Sequence, residues 1–427
     1  MSTRQKCLYS AKIWLALILL LSFCLRAAYI SIRHFEVIGD AKGYDTIAWN
    51  MVQGYGFSII PNEPTPARPP GYPAFLSVIY KMFGHNRIAA RNIQLIIDVF
   101  TCFLIYLIAK ETFGKKAGLL SAGMAALYPG FIGLMNMLYS ETLFTFLLMI
   151  FLWFFIKAFK SRAINYYFYS GICAGLTTLT RTVTLLMPGF VLAGLLIVYK
   201  NKIKAVLHSL VFAIAMMIVI LPWIIRNYVQ FNLMSLSTGG GVVLWMQSYV
   251  PWNGQSRSFN SEPLKTMAKT LSNLELDRQL TREAIENIKK YPGHYLWYCV
   301  RDLYYTWVYS VNGDMMGFGN TTRAKLFKEG KYIQGVFKFS LALLHVFIEG
   351  LCVLAFIIGR KKWEEWFPLF LFILYFAAVF FPIEGIPRYV VPVFPVVIIM
   401  ASYTLVYFSD KLKKTLSISA SSPPIME

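Results

Sequence analysis

Apolar runs of roughly 20 residues, about the length a helix needs to cross a bilayer, alternate with short polar clusters along almost the whole chain. They extend from Ile13–Ile30 near the start to Val391–Phe408 near the end. The clusters between them are basic: Arg4/Lys6/Lys12, Lys110/Lys115/Lys116, Lys157/Lys160/Arg162, Lys200/Lys202/Lys204, Arg360/Lys361/Lys362 and Lys411/Lys413/Lys414. Lysine and arginine concentrate on the cytoplasmic side of membrane proteins, so each cluster is expected there, with both termini. Between most consecutive clusters the apolar stretch is long enough for two crossings, which predicts an all-α polytopic protein of about ten transmembrane helices. The first run is read as a retained helix, since Arg26 interrupts its end and no small-residue cleavage site follows.

Two polar stretches break the pattern on the opposite, extracytoplasmic side: a first loop over 31–88 and a longer region over 226–338. The organisation expected is therefore an N-terminal transmembrane catalytic module (1–225), the second extracytoplasmic region (226–338), and C-terminal helices with a tail (339–427). In the second region, Ser235 to Gly241 has the glycine and hydroxyl content of a turn. Leu274, Leu280, Ala284 and Ile288 are spaced as one face of an amphipathic helix over 271–290 that ends at Tyr291-Pro292-Gly293. The aromatic run Tyr295–Tyr309 suits a helix at headgroup level.

Composition agrees with this class: 57% of residues are hydrophobic, 15% are charged, and the mean hydropathy is +0.54. A net charge of +20 would suggest nucleic acid in a soluble protein. Here the clustering accounts for it, and no nucleic-acid partner is expected; the bilayer is. The six cysteines are scattered, with neither a disulfide framework nor metal-ligand spacing. No internal repeat is evident.

A charge at a helix centre costs roughly 2.5–3.5 kcal/mol on insertion scales, so charges near the bilayer are candidates for function. Asp40 follows the first helix. Arg68 lies in Ala67-Arg68-Pro69-Pro70-Gly71-Tyr72-Pro73, where prolines fix the backbone around one guanidinium. Glu141 opens a span, Arg181 lies at the turn between two more, and Arg388 opens the last. Each has a bland reading: a helix cap for Asp40, a rigid turn for Arg68, an acid at a helix N-terminus for Glu141, interfacial snorkelling for Arg388. The topology, however, brings all five to one membrane face, and two acids with three arginines suit an anionic lipid headgroup. Other intramembrane charges are read as structural: Arg91 and Asp98, seven apart, and His345 and Glu349, four apart. A proton pathway is their sharper alternative. Arg226 and Asn227 have either an interfacial cap or an approach to the donor open to them.

The motifs GDAKGYDTIAWNMVQGYGFS, RPPGYPAFL, YSETLFTFLL, GLTTLTRTVTLLMP, RNYVQFNLMSLSTGGGVVLW and PRYVVPVFP, in that order, resemble the C-type superfamily of membrane glycosyltransferases, in particular the branch of protein O-mannosyltransferases and the aminoarabinose transferase of lipid A. The chain departs from many members in one respect. Where they carry an Asp-Glu pair, Asp40 is followed by Ala41, so Glu36, Asp45 or Glu141 would have to supply a second acid. The resemblance implies transfer of a sugar from a polyprenyl-phosphate donor to a hydroxyl of a glycan, lipid or protein acceptor, with inversion. The active site would be extracytoplasmic, in the inner or plasma membrane.

By this mapping Asp40 is the catalytic base, with Glu141 beside it to orient the acceptor or help hold a cation. Arg68, Arg181 and Arg388 bind the donor phosphate, and Tyr44, Tyr72, Tyr389 and Trp245 are the candidate substrate-contacting aromatics. No cofactor is assigned with certainty, and a divalent cation is left open. A divalent cation is used by some relatives, and two carboxylates without histidine favour a hard ion. The main alternative is a transporter or flippase of a lipid-linked glycan, which predicts inverted repeats and paired broken helices; neither is visible.

Overall fold

The computed structural model describes residues 3–33, 36–249, 262–309, 316, 322–383 and 385–420. Among them there is no β-strand, only one isolated bridge between Ser58 and Pro64 in the first loop. The N-terminal half comprises α1 (Thr3–Ile32), α2 (Asp40–Val52), α3 (Gly71–Phe83), α4 (Arg87–Phe113), α5 (Lys115–Leu127), α6 (Pro129–Met135), α7 (Glu141–Ser161), α8 (Ile164–Thr180), α9 (Met187–Val198) and α10 (Lys202–Phe231). The smaller helices α11 (Gly240–Ser248), α12 (Glu262–Thr270), α13 (Asn273–Lys290), α14 (Pro292–Val308) and α15 (Arg323–Lys328) follow. The chain then re-enters long helices at α16 (Tyr332–Gly359), α17 (Trp363–Phe380) and α18 (Phe394–Ala420).

Six stretches among the described residues are long and apolar enough to cross a membrane, or seven if the bent pair α5–α6 counts as one span. One of the six, Tyr332–Phe380, holds both α16 and α17. The expectation of about ten is compatible with this if α8 and α9, at 17 and 12 residues, also cross. The second polar region is narrower than its sequence pattern suggests, because α10 continues to Phe231 and α16 begins at Tyr332. His34, at the edge of the first loop, is outside the described residues.

The long helices bury a continuous core. Phe151, Phe155, Phe212, Phe372 and Phe376 interlock where α7, α8, α10 and α17 meet, while Leu20, Ile218 and Phe347 stand exposed on outer faces. Apolar belts of that kind belong against lipid. One buried charge pair crosses the core: Arg26 of α1 donates to Asp98 of α4 and to the carbonyls of Ala125 and Ala126 at the end of α5. Asp98 therefore pairs across helices, with Arg26. His345 and Glu349 approach to 3.4 Å within α16, and the same histidine meets the Tyr128 hydroxyl at 2.8 Å.

The amphipathic helix expected over 271–290 is α13, and it begins where chemistry dictates. Ser272 caps the backbone N–H of Glu275, and the Glu275 carboxylate accepts from the Ser272 N–H in return, a reciprocal arrangement that satisfies two orphan donors. Pro292 ends α13 and simultaneously starts α14, since a first helical position has no use for the missing N–H.

Candidate active site

Asp40 is the first residue of α2, and the chain reaches it through Gly39 at φ 56°, a conformation costly for any residue with a Cβ. Arg68 is aimed by Pro69 and Pro70, after which α3 starts at Gly71. A Cβ on Gly71 would meet the Leu179 carbonyl oxygen at 2.9 Å and Thr180 Oγ1 at 2.8 Å. Only glycine therefore lets the start of α3 press against the end of α8, where Arg181 stands in extended backbone. Glu141 opens α7, and Arg388 sits in a 3-10 turn, Pro387–Val390, ahead of α18.

These five side chains, drawn from five separate parts of the chain, form one cluster. The Asp40 carboxylate accepts from Arg68 at 2.8 Å on one oxygen and from Arg388 at 2.9 Å on the other. Arg388 then reaches Glu141, its Nε lying 2.9 Å from Oε1, and Arg181 approaches the same oxygen at 2.7 Å. Both contacts to Glu141 are ion pairs by distance without hydrogen-bond alignment. Arg181 donates to the Ser140 hydroxyl instead.

The cluster is graded in depth. The Glu141 side chain is 2% exposed, Arg388 and Arg181 17% and 20%, Arg68 and Asp40 33% and 36%. Glu141 is thus the floor and the Asp40–Arg68 pair the mouth. Three guanidiniums face two carboxylates, so the cluster carries one positive charge in excess and has capacity left for an anion. Burial pushes the Asp40 carboxyl up, but Arg68 and Arg388 outweigh it and hold the group below the ordinary carboxylate range. Burial likewise disfavours the charges of Arg181 and Arg388, and the neighbouring carboxylates more than offset that.

Aromatic rings frame the arginines. Arg68 lies over Tyr44 at 5.2 Å, Arg181 over Tyr389 at 5.0 Å, and Arg388 over Tyr139 at 4.4 Å, which fixes the guanidinium planes by cation–π attraction. Tyr72 stands a layer back: it is fully buried, packs edge-on against Tyr44, and donates its hydroxyl to Gln94 at 2.6 Å. Gln94 in turn donates to the carbonyls of Met135 and Met137, holding the loop that leads to Tyr139. Tyr139 and Gln94 were not singled out by sequence. The signal for Tyr139 was present, since it precedes Ser140-Glu141 in a quoted motif; Gln94 reads as one more polar residue in a span.

Of the three acids expected as partners for Asp40, Glu141 is the one in the cluster. Asp45 is turned to another wall, where it accepts from Tyr80, Arg87 and the His85 ring, and Glu36 is exposed. The structure does not bring Trp245 to the cluster. It is buried among Leu276, Leu280 and Ala284 of α13 and donates to Glu283, and the glycines before it are used by Asp277, whose Oδ1 accepts from the N–H groups of Gly239 and Gly241. Arg226 donates to the Thr65 carbonyl and lies over Trp223, clamping the first loop. A cavity of about 430 Å³ opens between that loop and the start of α13, lined by Ile60, Pro64, Phe231 and Leu274 among others. Both cluster carboxylates are already met by guanidiniums, and among the described residues no three His, Cys, Asp or Glu side chains gather as a metal site.

No curated protein matches the chain in sequence. Among solved structures, the archaeal oligosaccharyltransferase AglB from Archaeoglobus fulgidus, in complex with an inhibitory peptide and a dolichol-phosphate, aligns with a TM-score of 0.58 at 16% identity, over 100% of this chain and 53% of that one. ArnT from Cupriavidus metallidurans in the apo state aligns with a TM-score of 0.52 at 16% identity, over 96% of this chain and 64% of the other. The chain thus spans about half the length of the first and under two thirds of the second. At such identities the likeness is one of fold. Residues 67–225 match the family model described as dolichyl-phosphate-mannose-protein mannosyltransferase, and over its whole length the chain shares the fold of these two membrane proteins.

Proposed function

We propose that this multi-pass membrane protein transfers a sugar from a polyprenyl-phosphate carrier to an acceptor hydroxyl at the extracytoplasmic face, with inversion. The observation that carries the reading is Arg388, which bridges Asp40 and Glu141 at 2.9 Å to each in a cluster with one positive charge to spare. A lipid phosphate entering at the mouth offers better-matched oxygens to Arg68 and Arg388 than one shared carboxylate does.

The chemistry follows from that exchange. With the guanidiniums turned to phosphate, Asp40 loses the partners that hold its basicity down and is free to take the acceptor's proton. The acceptor oxygen forms its bond to the anomeric carbon from the face opposite the phosphate. The bond from that carbon to the phosphate oxygen breaks, and the electron pair leaves with polyprenyl phosphate. Phosphate is a good leaving group, so no strong general acid is needed, and a positioned base contributes about 10²–10⁴-fold. Tyr44, Tyr139 and Tyr389 hold the arginines and border the donor, while Tyr72 supports Tyr44 from behind. Transport of a lipid-linked glycan accounts less well for a carboxylate held at the centre of the arginine cluster, and the proteins of like fold include an oligosaccharyltransferase.

The substrates are found by mass spectrometry of envelope lipids and glycans from cells with the wild-type protein, with Asp40→Asn at matched expression, and with the gene deleted. Loss of one sugar from one glycan in both defective strains, with accumulation of the matching polyprenyl-phosphate sugar, names donor and acceptor. An altered lipid distribution in the deletion alone, with Asp40→Asn behaving as wild type, would favour transport.

A further inference from the structure

At the other end of the bundle two cavities of about 370 and 470 Å³ share Arg162, Val198 and Glu364 as lining, and each falls in the size range of ligand pockets. Their distance from the Asp40 cluster follows from α7, whose first residue Glu141 belongs to that cluster and whose C-cap is Arg162. A helix of 21 residues spans about 30 Å, the thickness of a bilayer's hydrocarbon core. The joined cavities therefore lie at the opposite membrane interface.

Their lining is polar in a patterned way. Lys160, Arg162, Lys200 and Lys204 contribute four cations, Glu364 faces both cavities and Glu365 faces the smaller one. The positive-inside rule explains lysines at this level, and the first turn of α17 explains a glutamate. Neither explains why these opposite charges line one groove and yet Arg162, Lys200, Lys204 and Glu364 form no ion pair among the described residues, when Lys160 in the same lining closes onto Glu111 at 3.3 Å. Arg162 is also held in a left-handed backbone conformation, φ 57°, with its guanidinium 3.8 Å over the buried Tyr199 ring. Tyr199 is in turn fixed by a 2.6 Å hydrogen bond to the Tyr167 hydroxyl and by His208 at 3.4 Å. A stacked, pre-oriented guanidinium of this kind presents its N–H edge to phosphate oxygens, and basic pockets between membrane helices at this depth take lipid headgroups.

We propose that this groove binds the headgroup of a zwitterionic aminophospholipid, its phosphate on Arg162, Lys200 and Lys204 and its ammonium on Glu364. An anionic headgroup would satisfy the cations and leave Glu364, with Glu365 beside it, facing like charge. The aminophospholipid meets both walls and leaves its acyl chains in the bilayer.

The test uses the full-length protein in nanodiscs of equal phosphatidylethanolamine and phosphatidylglycerol, transferred to mild detergent, with the retained lipids counted by native mass spectrometry. Phosphatidylethanolamine is expected to be retained about tenfold over phosphatidylglycerol, the discrimination one charge-assisted hydrogen bond supplies. Arg162→Ala combined with Lys204→Ala is expected to lose the retained lipid. Glu364→Gln is expected to keep a lipid but lose the preference, which tests the proposal even if the double variant fails to fold. Equal retention of both lipids by the wild type, or an unchanged preference in Glu364→Gln, would overturn it. Displacement of the lipid by millimolar free phosphoethanolamine would overturn the assignment to a membrane lipid.

Discussion

Arg388 donates to Asp40 across 348 positions of sequence, at 2.9 Å, while its Nε lies 2.9 Å from the Glu141 carboxylate. One guanidinium thereby joins the 3-10 turn before α18 to the starts of α2 and α7. It is the element on which the cluster's geometry turns, and several expected outcomes trace back to it.

Under the proposed function, removing Arg388 removes a charge-assisted contact to the donor phosphate. Hydrogen bonds to charged groups contribute about 1.5–3 kcal/mol each, so Arg388→Ala is expected to weaken donor affinity by about 10–100-fold. Arg388→Lys, which keeps the charge but not the fork, is expected to fall between. Equilibrium binding of a radiolabelled polyprenyl-phosphate sugar reads this directly, and unchanged affinity in Arg388→Ala would remove the residue from the donor site.

Glu141 is nearly inaccessible and has two arginines on one oxygen. Taking one member out of a buried pair typically costs 3–5 kcal/mol, because the charge left behind is uncompensated. Glu141→Ala is expected to lower unfolding stability by about 3 kcal/mol, seen as a lower Tm in detergent. A double-mutant cycle with Arg388→Ala should return a coupling of at least about 1 kcal/mol. Additive losses would mean that the two do not act as a pair.

The close contact at Gly71 makes a purely steric test. Its missing Cβ faces backbone at Leu179, which cannot rotate away, so Gly71→Ala must push α3 from α8. Overpacking of that kind costs about 1–3 kcal/mol, and the displacement carries Arg68 away from Asp40. Turnover is expected to fall at least about tenfold, since misplacement by about 1 Å costs about 100-fold. Wild-type turnover in a folded Gly71→Ala protein would show that the α3–α8 contact does not set the position of Arg68.

The arginines also fix the direction of a pH effect. Asp40 is depressed in the folded, ligand-free protein, so its contribution to stability is fully present above the unfolded value near ~3.9. It is lost only as pH falls through the lower folded value, and no change on its account is expected between neutrality and mild acid. The same depression places the acid limb of kcat/KM, which reports free enzyme, below the ordinary carboxylate range. Once the guanidiniums turn to phosphate that hold is relaxed, and the acid limb of kcat is expected at higher pH than that of kcat/KM. Coincident limbs would show that Asp40 keeps its arginine partners in the complex.

The all-helical, multi-span class was readable because hydropathy is a one-dimensional signal, and so was the convergence of five charges: Asp40, Arg68, Glu141, Arg181 and Arg388 each sit at a helix end marked by proline, glycine or a change in hydropathy. Their pairing was not readable. Asp45 has the same chemistry as a second acid and lies closer in sequence than Glu141. At about 100° per residue, however, it lies about 140° around α2 from Asp40, facing Tyr80 and Arg87. Asp98 shares a helix with Arg91, yet its partner is Arg26 on α1, a choice made by helix packing. Trp245 followed a glycine run that looked like the lip of a groove, but those glycines let α11 pack against Asp277 and α13. In each case the local signal was correct and the partner came from tertiary structure.

The central claim is that Asp40 accepts the acceptor's proton while the arginines hold the donor. The most direct measurement pairs donor binding with single-turnover release of polyprenyl phosphate, for wild type and Asp40→Asn reconstituted in liposomes with the donor and acceptor identified from the envelope. Asp40→Asn is expected to bind donor within about threefold of wild type, since it removes no phosphate contact, and to release polyprenyl phosphate at least about 10²-fold more slowly. Release at the wild-type rate with donor bound would contradict the account.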